Sequence, residues 1–446
     1  MIKLVLTFSI LMYSMNAAAF CGLYVAKAGT QLFNKASKVV LVRDGDRTVL
    51  SMATDYEGDA KDFALVIPVP VVLEKKQINV GDPKVFDHID AYTSPRLVEY
   101  HDPNPCQVQP YLLQTGPRNR GPTLAGGGAP QGLQPKDYKV TIEAEYEIGE
   151  YDVLILSAKE SDGLSRWLVD NGYKIPAKAK PILKSYIKRD LKFFVAKVNL
   201  KKHEKAGTKF LKPLQIAYES KKFELPIRLG TVNAKESQDL FVFALTKTGR
   251  VESVNYRTAK IPSELEIPSY LKDEFEGFYK DMFSNEVKKN KMSAVFTEYA
   301  WDMSWCDPCA AEPLTDAELR SLGVWWAKPG TNVQNKDRFM PQGAQNVFVT
   351  RLHARYNAES FPNDLNLQVT NDRNNFQARY IMRHPYTGTA KCEEMKAYKE
   401  SLNERFNLQA KNVAQYTGVD IAAVRRKMNL PAPSDKSESW IDGLWK

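Results

Sequence analysis

From Cys21 to Leu73 apolar and polar residues alternate in short, β-branched runs punctuated by turn residues. "KVVLVRDGDRTVLSMAT" reads as two strands folded back at Asp44-Gly45-Asp46, and "FALVIPVPVVL" as a buried strand ended by prolines. The hairpin accounts for Asp44 and Asp46 better than a cation site does. "PKVFDHIDAY" predicts a short helix, and "PRLVEYHDPNPC" leads to Cys106. "YKVTIEAEYEIGEYDVLILSA" alternates through Val140, Ile142, Ala144 and Tyr146, and "SDGLSRWLVDNGY" is a helix stopped by Gly172. "PAKAKPILKSYIKRD" predicts another helix, whereas "LKFFVAKVNL" and "DLFVFALTKTG" return to strands. "YVAKA" at Tyr24 and "FVAKV" at Phe194 match each other, but a repeat this short arises by chance.

The last third changes period. "SYLKDEFEGFYKDMF" places Leu271, Phe275, Phe278, Tyr279, Met282 and Phe283 on one helical face, the pattern of core packing. "AVFTEYAW" and "NVFVTRLHARY" are strands, Thr315 and Glu318 form a capping box for a helix closed by Gly323, and the text after Lys391 is mainly helical. The predicted class is α+β, with β-rich N-terminal and middle regions and a helix-richer C-terminal part. In chain order the segments are a leader (1–19), an N-terminal β-rich region (20–113), a Gly/Pro loop (114–135), an α+β middle region (136–260), the helix-richer region (261–430) and a tail (431–446). Residues 114–135 hold six Gly and four Pro in 22 positions, too many to build a ladder or a core. Their glycine triplet lacks the Lys-Ser/Thr pair of a phosphate cradle.

The leader changes the picture of the compartment. Lys3, the apolar run Leu4 to Met12 and the small residues Ala17-Ala18-Ala19 make a secretory signal, predicting cleavage after Ala19 and a periplasmic or secreted product. Phe20 is too large for a lipoprotein site at Cys21. No later stretch is long and apolar enough for a transmembrane segment in the mature chain. The formal net charge of +9 falls to +8 when the leader takes Lys3 away, a mild excess without a polybasic tract.

Compartment then decides the cysteines. Cys21, Cys106, Cys306, Cys309 and Cys392 are disulfide candidates, and five thiols in an oxidising space make two bridges and one left over. Chain order pairs Cys21 with Cys106 and leaves Cys306, Cys309 and Cys392 to compete for one bridge. "SWCDPC" looks like a redox dithiol, but a two-turn helix follows it where a thiol-exchange site needs a long one. The adopted reading is a structural bridge; the alternative keeps Cys306 and Cys309 as a catalytic pair. A zinc site would need a second ligand pair, and no His follows Cys309 as haem attachment requires.

Other chemistry is thinner. "NVAQYTGVDIAAVRRKMN" resembles a helix-turn-helix with Gly418 at the turn and Asp420 as cap, yet the leader removes the chain from DNA, so no nucleic-acid partner is expected. His88, His101, His203, His353 and His384 are scattered, without a nucleophile elbow or a two-histidine metal helix. His353 alternates with Leu352 and Ala354 in a strand, consistent with packing or with the surface. "NDLNLQVTNDRNN" lacks the glycine and terminal Glu of a Ca²⁺ loop and reads as a polar loop. No cofactor and no metal are expected.

Four stretches carry a family resemblance: "IGEYDVLILSAKESDGLSRWLVDNGY" (Ile148 to Tyr173), "DFALVIPVP" (Asp62 to Pro70), "SPRLVEY" (Ser94 to Tyr100) and "VTRLHARY" (Val349 to Tyr356). Together they resemble the bacterial secreted family of the domain of unknown function 2330, from about Cys21 to Met428. The resemblance implies an exported, cysteine-bearing bacterial protein and lends no catalytic residues. The expected role is a non-enzymatic binding or structural module of the cell envelope, its partner an envelope protein or a surface ligand. The alternative is an extracytoplasmic thiol–disulfide oxidoreductase using Cys306 and Cys309.

Overall fold

A computed structural model describes residues 23–27, 33–57, 63–107, 140–158, 161–199, 211–234, 236–304, 312–329, 345–389 and 391–430. The leader, the Gly/Pro loop, the tail, His203 and the cysteines Cys21, Cys306 and Cys309 lie outside the described residues. The class is α+β, with the C-terminal part richer in helix. The chain divides into two compact units, each assembled from separated stretches: the first from residues up to Ser94, Lys139–Lys260 and Asn290–Phe376, the second from Pro95–Tyr138, Ile261–Lys289 and residues from Gln377 onward.

Two large sheets and a small three-stranded one build the first unit. The nine-stranded sheet runs Arg257–Lys260, Ala294–Asp302, Phe348–Tyr356, Gln238–Thr246, Phe33–Asp44, Arg47–Glu57, Leu214–Glu219 and Ile78–Val80, with Phe376–Gln377 joined to Ala294–Asp302. The six-stranded sheet runs Val140–Ile148, Tyr151–Ala158, Lys192–Val198, Phe63–Val69, Leu23–Lys27 and Tyr173–Lys174. Their facing sides share one core, in which Phe63, Leu65, Ile67 and Val69 meet the side of Val39, Leu41, Leu240 and Val242. The period of two sends Ala64 and Val66 the other way, toward the helices Ser161–Asp170 and Ala179–Lys188. Burial on both faces is why this strand reads as an unbroken apolar run. The helices Pro83–Thr93 and Asp316–Ser321 cover the outer face of the larger sheet through Val85, Phe86, Ile89 and Leu319. The order of layers in this unit is helix, sheet, sheet, helix.

The local punctuation follows the sequence closely. Gly45 turns the hairpin at φ +58°, Asp46 pairs with Arg43 and Asp44 with Lys247. Thr315 and Glu318 form the capping box, and Gly323 ends that helix at φ +95°. The matching pentapeptides flank one strand: Leu23–Lys27 and Lys192–Val198 both pair antiparallel with Phe63–Val69. Like neighbours select like residues, which explains the match without duplication. One expectation is corrected. Residues 363–375 are not a polar loop throughout, because Leu365–Val369 is the central strand of a three-stranded sheet between Glu224–Leu225 and Val251–Ser253. Its buried Leu365 and Leu367 carry the alternation that the surrounding Asn and Asp residues obscure.

The second unit has a three-stranded parallel sheet, Leu265–Glu266, Arg379–His384 and Arg96–His101, with the helices Phe275–Lys289, Glu393–Thr417 and Ile421–Lys427. The predicted apolar stripe is core: the Tyr380 ring meets Phe275, Phe278 and Tyr279 at 5.5–6.0 Å. Gly418 closes Glu393–Thr417 in the left-handed conformation, and Asp420 caps the next helix by accepting from the Ala423 amide. The helix-turn-helix text is therefore a packed helical corner. Arg425 of its second helix is buried against Asn407 and Lys427 pairs with Glu274.

The pairing of Cys21 with Cys106 is overturned, as is the competition of Cys392 with Cys306 and Cys309. Cys106 is bonded to Cys392, 286 residues away, with the Cα atoms 5.9 Å apart. Parallel pairing is the cause. Arg96–His101 lies in register beside Arg379–His384, so both chains leave the same end of the sheet, where the Asp102 amide still donates to the His384 carbonyl at 2.9 Å. Cys106 and Cys392 each follow within a few residues, Cys392 as the N-cap of Glu393–Thr417.

Candidate functional site

Three places concentrate chemistry among the described residues. The first is a charged cluster on the outer face of the nine-stranded sheet, under the helix Pro83–Thr93. Along Phe348–Tyr356, Leu352, Ala354 and Tyr356 enter the shared core, which turns Arg351, His353 and Arg355 to the opposite face. Pairing with Ala294–Asp302 shifts register between Thr297 and Tyr299, and Glu298 is the extra residue of that bulge. A bulge re-aims a side chain. Here Glu298 binds His353 Nδ1 at 2.7 Å through one oxygen and Arg351 Nε through the other. Arg351 also reaches the Asp90 carboxylate and carbonyl, and Lys38 Nζ meets the other Asp90 oxygen at 2.7 Å. Asp239 holds Arg355 with two hydrogen bonds of 2.7 and 2.8 Å and lies 3.6 Å from His353 Nε2. The Phe241 ring stacks on the imidazole at 4.1 Å.

Glu298, Arg351 and His353 are 0, 5 and 4 % exposed. Burial opposes the charge of His353, but Glu298 and Asp239 outweigh it and raise its pKa. Burial likewise works against Asp239, yet hydrogen bonds from His353 and Arg355 bring it down to about 2. Each charge is satisfied by another. The cluster suits a structural role: pairs of this kind are weak stabilisers when intact and costly to break. Sequence reading noted His353 but missed Glu298, Arg351 and Asp239. The charges at every second position of "TRLHARY" mark a polar face, and only the strand pairing shows that face to be covered.

The second place centres on Asp364. It accepts from the Tyr186 hydroxyl at 2.6 Å, the Ile227 and Arg228 amides at 3.1 and 3.3 Å, and Arg189 at 3.1 Å. Burial raises its pKa against these donors. Arg189 also pairs with Glu224, and both border a cleft of about 180 Å³ with Pro68, Leu191, Tyr218 and Pro226. Burial pushes the Tyr218 phenol up to about 12, so it stays protonated at neutral pH. Arg189 and Glu224 neutralise each other at this cleft, which Lys222 also borders.

The third place lies in the second unit. A cavity of about 380 Å³ opens between Phe275–Lys289 and the corner of Glu393–Thr417 and Ile421–Lys427. Leu271, Phe278, Val413 and Val424 give it an apolar lining, and Glu274, Asp281 and Lys427 add charge. Lys427 Nζ meets Glu274 at 2.7 Å and lies 5.2 Å from the Tyr270 ring centre. An apolar space of this size with a few polar groups is the ordinary form of a small-ligand or side-chain pocket. From the sequence Leu271 and Phe278 read only as core, and Lys427 only as one of the basic residues of the helix-turn-helix text.

Of the predicted site residues, the structure places Cys106 and Cys392 and brings them together. His88 bonds Glu318 at 2.8 Å and the Glu312 carbonyl at 2.9 Å, while His101 and His384 stack at 4.6 Å. No His/Cys/Asp/Glu group is arranged to hold a metal ion among the described residues, and no helix there is long and apolar enough to cross a membrane. No curated protein and no solved structure matches the chain. A family described as an uncharacterized protein conserved in bacteria, DUF2330, matches residues 15–368. That span takes in most of the layered sandwich and one wall of the cavity, and the chain belongs to this DUF2330 family.

Proposed function

We propose that this is an exported protein of the bacterial cell envelope that acts by binding, with the apolar cavity of the second unit as its binding element. The observation that carries the reading is the contrast between that cavity and the charged clusters: the space is apolar, while the charges are buried against one another. A group that must react needs access to a substrate, and Glu298 and His353 have none. A cavity lined by Leu271, Phe278 and Val424 needs only an apolar occupant.

Export is supported by Lys3, the Leu4 to Met12 run and the Ala17-Ala18-Ala19 site, and by the Cys106–Cys392 bridge, since such bonds persist in oxidising compartments. The test is expression of the full sequence in a bacterial host, followed by fractionation and N-terminal sequencing. Material in the periplasm or medium beginning at Phe20 is expected; cytoplasmic material beginning at Met1 overturns export. The same preparation is assayed for reduction of insulin disulfides. Activity that disappears in Cys306→Ser replaces the binding reading with the oxidoreductase.

A further inference from the structure

We propose that the cavity of the second unit seats the chain's own C-terminal segment, Trp440 to Trp445, bound in cis. The inference rests on reading that cavity as a binding site.

The wall of the cavity is the first consideration. Gly277 lies in the first turn of Phe275–Lys289 and lines the cavity, and a Cβ placed on it meets nothing within 4 Å. Glycine weakens a helix relative to alanine and is favoured where another group must approach the backbone closely. Gly277 offers bare backbone to whatever enters.

Reach comes next. Lys427, the last residue of Ile421–Lys427, also lines the cavity. Just beyond it Asn429 adopts φ +55°, and the Leu430 amide donates back to the Arg425 carbonyl at 2.9 Å, so the chain reverses at the cavity's edge. Residues 431–439 separate Leu430 from Trp440, and at full extension they span roughly 30 Å. A tether of that length presents the segment at an effective concentration on the order of millimolar.

The segment's chemistry fits the space. "PAPSDKSESWIDGLWK" places Trp440, Ile441, Leu444 and Trp445 after a polar stretch. An indole removes about 150–250 Å² from water and asks for an acceptor for its N–H. Glu274 and Asp281 bring carboxylates to the same apolar cavity.

The experiment uses the full-length chain, wild type and the double variant Trp440→Ala/Trp445→Ala. The probes are a dye-labelled synthetic peptide of residues 431–446 and the neutral dye Nile red. The peptide is expected to bind the double variant and to bind the wild type at least about tenfold more weakly, because there the seat is taken. Gly277→Leu in the double-variant background should abolish peptide binding. Amide hydrogen exchange should also be faster at residues 270–281 and 413–427 in the double variant than in the wild type, a comparison that does not depend on Gly277→Leu folding. Equal peptide binding to both chains, or to neither, overturns the proposal. So does a wild-type dimer in light scattering that the double variant loses, because the seat would then hold a second copy's tail. Nile red separates the two levels. Dye bound by the double variant and lost with Gly277→Leu, without peptide binding, leaves the cavity a binding site and sinks the tail; dye bound by neither chain sinks both.

Discussion

The pKa of His353 is raised because Glu298 and Asp239 face its two ring nitrogens and outweigh the cost of burying the cation. Arg351 and Arg355, on the same strand, neutralise the far oxygens of those carboxylates, and Phe241 covers the ring. A raised pKa contributes stability below the unfolded value of about 6.5, and that contribution is lost as pH rises through the folded value. Asp239, lowered to about 2, works in the opposite sense: its contribution is present above about 3.9 and lost as pH falls toward 2. Stability from this cluster should therefore form a plateau between about pH 4 and 6.5 and decline on both sides. Urea midpoints from pH 3 to 9 test it. His353→Gln should be less stable at pH 5 and should lose most of the alkaline decline. His88 leaves a residual slope, since Glu318 and the Glu312 carbonyl raise its pKa against burial. Parallel profiles for wild type and variant above pH 6.5 would remove His353 from the account.

At the scale of elements, the turn and cap residues mark where helices and hairpins stop, and most stops were readable. Gly45, Gly172, Gly323 and Gly418 all have positive φ, and each ends an element where the text placed a boundary. Local chemistry acts over three or four residues, so it survives translation from sequence to structure. Gly323 carries a second constraint that the text does not show. A Cβ there would lie 2.7 Å from the Val49 side chain, which belongs to the Arg47–Glu57 strand. Gly323→Ala thus combines left-handed strain with a core clash and should cost about 2–3 kcal/mol. Chemical denaturation that finds less than about 0.5 kcal/mol would mean that Val49 moves aside freely. The strand Leu365–Val369 shows the reverse failure: its neighbours' polarity hid a period of two that a sheet partner on each side makes decisive.

Across the whole molecule, the chain leaves the second unit after Lys289 and returns to it at Gln377, having contributed central strands to the first. The Cys106–Cys392 bridge ties stretches of the second unit on either side of that excursion. A bond closing so long a loop restricts the unfolded chain strongly, and its loss should cost about 2–5 kcal/mol. Cys106→Ser and Cys392→Ser should lower the melting temperature equally, with the double change no worse. A non-reducing peptide map that joins Cys106 to Cys21 instead would refute the assignment. The α+β class, the hairpin at Asp44 to Asp46, the capping box of Thr315 and Glu318 and the apolar helix stripe were legible because each depends on residues close in sequence. The bridge, the covering of Arg351 and His353 and the cavity beside Gly277 were not, because each depends on which distant strands and helices lie side by side. Sequence alone determined where elements begin, end and turn an apolar face. Tertiary structure decided which faces meet: a parallel register brings Cys106 to Cys392, and a one-residue bulge at Glu298 brings an acid between two bases.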